Sequence, residues 1–93
     1  MEPESFEFES IRAQNQEMLV DFIRVKLRMG RTFVQSATLA KAPGHVDHYA
    51  LSKANAVKAA ESVRHFMKRI ADEEICAEIV SKLEELDRLI GAL

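Results

Sequence analysis

Between Pro3 and Pro43 the chain carries no other proline and a single glycine, Gly30. So long a stretch without a breaker cannot be divided into the short strands and tight turns of a β domain. The whole chain of 93 residues has only three glycines, two prolines and no tryptophan. Pro43-Gly44 is its one compact break. The expectation is therefore a single all-α domain, built from long helices with few connections.

Periodicity places the helices. A first helix is expected over about 11–41. Ile11, Met18, Phe22, Val25, Met29, Phe33, Ala37 and Ala40 recur at helical spacing, with Leu19, Ile23, Leu27 and Val34 beside them. Together the two rows make a stripe wide enough to face two other helices. Ser10 is the expected N-cap. Gly30 implies a kink, a break or a close neighbour, since glycine costs about 1 kcal/mol against alanine inside a helix. Pro43 disfavours helical geometry at Ala42, and Gly44 suits a left-handed turn. A second helix is expected over about 48–70, with Asp47 as cap and a face of small residues at Ala50, Ala54, Ala56, Ala59 and Ala60. Asp72-Glu73-Glu74 marks the start of a third, over about 73–90, because acidic groups suit the positive end of the helix dipole. Ile75, Ile79, Leu83, Leu86 and Ile90 form its apolar stripe, and Gly91 is its natural stop. Short joints favour an up-down-up three-helix bundle.

Folding helix 2 back at residues 43–44 sets Ala37 opposite Ala50, Val34 near Ala54 and Gly30 near Val57. Folding helix 3 back at 71–72 sets Ala60 against Leu83 and Ala56 against Leu86, large against small. Helix 2 is basic, with Lys53, Lys58, Arg64, Lys68 and Arg69, and helix 3 is acidic. That register brings Lys58 near Glu84 and Glu85, Lys68 near Glu74, and Arg64 near Glu78. Helix 3 should begin level with residues 16–17, leaving helix 1 too long for its partners. Residues 1–10, with Glu2, Glu4, Glu7 and Glu9, form an expected acidic arm. Its Phe6 and Phe8, with Ile11, are candidate contacts for the base of the bundle or for another subunit, because clustered exposed aromatics are disfavoured in monomers.

The composition excludes several function classes. A net charge of -2 implies no strongly charged partner. No apolar run approaches the ~20 residues that span a bilayer, so no membrane partner is expected. The acidic start does not resemble a signal peptide, which points to the cytoplasm. One cysteine, Cys76, allows neither an internal disulfide nor a cysteine-based zinc site. Its place beside Ile75 in an apolar pattern reads as a small hydrophobe.

Three groupings could carry chemistry. Arg24, Arg28 and Arg31 share one helix face, suited to tracking phosphates in nucleic acid or to pairing with acidic residues of helix 3. His45, Asp47 and His48 put three potential metal ligands within one loop, although a cap flanked by solvated histidines explains them equally. Glu61 and His65 are spaced as an acid–base pair, or as an ordinary surface pair. Nothing completes a nucleophile, base and orienter, and no glycine-rich phosphate loop is present, so neither an enzyme nor a cofactor is expected.

The stretch Gly44 to Val57, with Ala50, Ala54 and Val57 at intervals of four and three, resembles the second helix of a tetratricopeptide or MIT-type hairpin, over about residues 31–70. Ala54 stands where the family places an aromatic, and Ala37-Thr38 where it has Leu-Gly. The resemblance implies a role in binding other proteins. The sequence thus points to a non-enzymatic interaction or oligomerisation module, with a homodimer favoured. A small antitoxin-like regulator using Arg24, Arg28 and Arg31 is the alternative.

Overall fold

A computed structural model describes residues 3–41 and 44–93, with side chains from residue 14 onward. Three helices follow one another: α1 over Pro3–Leu39, α2 over Val46–Phe66 and α3 over Glu73–Gly91. No strand occurs among the described residues. The helices form the all-α, up-down-up bundle expected, an elongated body of 66 × 20 × 15 Å.

The ends of the elements differ from the periodicity in instructive ways. α1 begins at Pro3, not after Ser10, so the acidic segment is the first part of the helix rather than a separate arm. Proline suits a first helical position, where its missing N–H leaves no intrahelical bond unmade. The side chains of Phe6, Phe8 and Ile11, and so the contacts expected of them, lie outside those described. At the far end α1 stops at Leu39, with Lys41 N–H closing a tighter turn onto Thr38 C=O at 3.4 Å. Gly44 takes φ +95°, the left-handed backbone expected of it.

Asp47 is not the cap of α2. His45 occupies that position, without a side-chain bond, and Asp47 lies in the first turn. At its other end α2 tightens into a 3-10 turn over Met67–Arg69 instead of running on to residue 70. Ile70 N–H then reaches Met67 C=O at 3.1 Å, satisfying a carbonyl that the α-helix would leave open. Asp72 caps α3 as the acidic run implied: its carboxylate accepts from Glu74 N–H at 2.9 Å and Ile75 N–H at 3.0 Å.

The core joins all three helices. Ile23, Leu27 and Val34 come from α1, Ala56, Ala60 and Val63 from α2, and Ile79, Leu83 and Leu86 from α3. Gly30 does not break α1, which runs on as helix to Leu39. A Cβ there would lie 2.7 Å from Leu86 Cδ2 and 3.4 Å from Ala59 Cβ, so glycine makes room for α3. The neighbour on α2 is Ala59, not Val57, and Ala50 and Ala54 are exposed. The expected pairing was two residues out, and at about 100° per residue that small offset turns a different face of α2 inward.

Two polar contacts fasten the ends of the bundle. Gln16 holds the α2–α3 joint: its Nε2 donates to Arg69 C=O and its Oε1 accepts from Ala71 N–H, both at 2.9 Å. This agrees with the expectation that α3 begins level with residues 16–17. At the opposite end Tyr49 Oη donates to Leu93 C=O.

Candidate functional site

The apolar row of α1 does not stay on one side of the helix. Met18, Phe22, Val25 and Met29 retain 64%, 41%, 45% and 39% of their surface exposed, whereas Ala37 is fully buried. The expectation that this whole row faces other helices is therefore corrected. Its steps are mostly four residues, slightly more than one turn. Over the nineteen steps from Met18 to Ala37 the row rotates about 100° around the axis. The upper part turns in against α2, and the lower part turns out. The buried face below is supplied instead by Val20, Ile23 and Leu27.

The outward row has an apolar flank. Phe22 meets Phe66 of α2 edge-on, with ring centroids 5.2 Å apart at 81°. Met18, Leu19, Phe22 and Phe66 line a shallow groove beside it, closed by Asn15, Gln16 and Arg69. Lys26 Nζ lies 5.4 Å above the Phe22 ring, and Arg69 lies 5.7 Å from the Phe66 ring. These cations cover part of the aromatic faces while staying hydrated. Asp21 and Arg28, both exposed, border the row on its other side.

The basic stripe lies on the side of α1 that faces α3. Arg24 pairs with Glu78 at 3.1 Å, and Arg31 approaches Glu85 at 3.9 Å. Among the described residues Arg28 has no ion-pair partner. A groove between α1 and α3 is lined by these three arginines together with Leu27, Lys82, Glu85 and Leu86. Glu78 also accepts from Lys82 at 3.0 Å. Its carboxyl is held below the ordinary value of 4.5, first by the Lys82 hydrogen bond and then by that of Arg24.

On the other side of α3, Arg64 does not reach Glu78 as the register suggested. Its Nη1 donates to both carboxylate oxygens of Asp87 at 2.8 Å. Helix side chains lean toward their own N-terminus. In the antiparallel α2–α3 pair, that carries Arg64 toward the C-terminal end of α3. In the parallel α1–α3 pair both partners lean the same way, so Arg24–Glu78 and Arg31–Glu85 keep the same sequence separation.

The remaining candidates do not gather. No group of three His, Cys, Asp or Glu residues fit to hold a metal forms among the described residues: His45 is the cap of α2, Asp47 lies in its first turn, and only His45 and His48 line a common groove, with Ser36, Leu39 and Ala40. His65 packs edge-on against Phe66 at 4.8 Å, and no ion pair joins it to Glu61 among the described residues. Cys76 is a free, half-buried thiol. No described helix is long and apolar enough to cross a membrane.

Among the described residues, fold and surface define a small all-α three-helix bundle that carries an unpartnered apolar row on α1. No protein-family model, curated protein or solved structure matches the chain.

Proposed function

We propose that this protein is a non-enzymatic helical module that works by binding protein surfaces, its own or another's. The observation that carries the reading is the exposed row Met18, Phe22, Val25 and Met29. Four large apolar side chains, consecutive on one helix face and continuous with Phe66, form the kind of patch that marks an interaction surface rather than scattered surface residues. The polar groups that could support catalysis are dispersed or tied to one another, which favours binding over chemistry. The hairpin resemblance of residues 31–70 and the expected cytoplasmic setting accord with this role.

The regulator reading, with nucleic acid on Arg24, Arg28 and Arg31, has less support. Arg24 is held by Glu78, and Glu85 stands beside Arg31, so phosphate would have to displace carboxylates already in place.

A photo-cross-linking side chain placed at Val25, and in parallel at exposed Glu61, tests the proposal in the native host. Strong adducts to protein from position 25 and weak ones from 61 are expected. Equal labelling at the two positions would overturn it.

A further inference from the structure

The row on α1 carries a more specific message, one that rests on the interaction reading above. We infer that its occupant is a second copy of this chain, packed antiparallel along α1 about a two-fold axis between residues 23 and 24.

The first support is shape. Met18, Phe22, Val25 and Met29 follow steps of four, three and four, a pattern that reads the same in both directions. Turned about the axis, Met18 falls beside Met29 of the partner subunit and Phe22 beside Val25 of the partner subunit. A pair of flexible methionines at each end thus flanks two central contacts between a phenylalanine and a valine. The groove beside Phe66 lies level with Met18, where it can receive Met29 of the partner subunit.

The second support is charge. Asp21 and Arg28 are seven residues apart, so they lie on the same edge of the row. In an antiparallel two-fold pair each edge meets the same edge of the other copy. Asp21 therefore meets Arg28 of the partner subunit, and the reverse contact forms by symmetry. Both residues are exposed, and among the described residues neither has an ion-pair partner. The pairing joins opposite charges only in this orientation. A parallel pair sets opposite edges together and leaves Arg28 without Asp21.

The third support is length. α1 has 37 residues, about 55 Å, against 19 residues and about 28 Å for α3. From Gln16 back to Pro3 it runs beyond the joint of its own hairpin. The axis lies near the middle of α1, so antiparallel pairing sets that overhang level with the α1–α2 hairpin of the other copy. A parallel pair would stack the two overhangs with no hairpin beside them.

Sedimentation equilibrium on the full chain, across a wide concentration range, tests the inference. The expected wild-type result is a monomer–dimer equilibrium. Val25→Lys should weaken it about a hundredfold, since the partner's row faces the new charge twice. Asp21→Arg and Arg28→Asp should each weaken it about tenfold, and the double variant Asp21→Arg/Arg28→Asp should restore most of the affinity. Circular dichroism and thermal melting confirm that each variant is folded, and these exposed positions should leave the monomer intact. A strictly monomeric wild type would overturn the inference, as would a dimer indifferent to Val25→Lys or a double variant no better than the singles. If the wild type is monomeric while position 25 still cross-links to another protein, the second copy is wrong and the interaction module stands. If position 25 also fails to cross-link, both are wrong.

Discussion

The two sides of α1 are built from similar residues and do opposite work. On the inner side Val20, Ile23, Leu27 and Val34 are buried against α2 and α3, and Gly30 lets Leu86 approach the backbone. On the outer side Met18, Phe22, Val25 and Met29 are just as apolar and remain in contact with water. Position relative to two neighbouring helices, not hydrophobicity, divides core from surface. Burial stabilises the inner residues by about 25 cal/mol per Å² of apolar surface removed from water, whereas the outer ones gain this only when something docks on them.

This contrast can be broken or sharpened by mutation. The largest effect is expected at Ile23, which is fully buried: Ile23→Ala should cost about 2–5 kcal/mol in chemical denaturation, by lost transfer energy and the cavity left behind. An effect as small as that of a surface change would mean the inner side is not the core. Gly30→Val should cost about 1–3 kcal/mol, because its branches collide with Leu86 and Ala59. The same substitution combined with Leu86→Ala should cost less than the sum of the two singles, which a double-mutant cycle measures. Asp72→Ala removes the cap shared by Glu74 and Ile75 N–H and should cost about 1 kcal/mol. On the outer side, Val25→Lys should change monomer stability by no more than about 0.5 kcal/mol while altering association.

The smallest effect concerns Glu78, with its exposed partners Arg24 and Lys82. Its carboxyl is lowered in the folded chain, so its contribution to stability is present above the unfolded value of about 4.5 and is lost as the pH falls through the folded one. Wild type should therefore exceed Glu78→Gln slightly at neutral pH, and the two melting curves should converge as the pH falls below the unfolded value and through the lowered folded one. A constant difference down to strong acid would assign the effect to packing.

Much of the architecture was legible because it depends on local rules. The left-handed turn at Gly44 and the Asp72 cap, together with the three described helices, each follow from a few neighbouring residues. The α1–α3 register was also readable: level contacts at Gln16 and the Arg31–Glu85 approach fall where the helix lengths put them. The start of α1 was misplaced, because Glu-rich residues carry little apolar periodicity and Pro3 was not recognised as a first-turn residue. The Arg64–Asp87 pair was missed because facing numbers ignore the direction in which helix side chains lean. The candidate site was legible only in part. Each of its residues was recognised as apolar and in register, but all were expected to be covered.

The sequence by itself determined the secondary structure and the direction of the chain, because breakers, caps and periodicity act within a few residues of one another. The tertiary structure alone decided which apolar residues remain outside. A stripe stepping slightly more than a turn rotates around its helix, and a bundle of three can cover only the arc its two other helices reach. A residue number fixes the angle of a side chain on its helix, but not where the neighbouring helices stand. That difference leaves the row from Met18 to Met29 exposed for another surface.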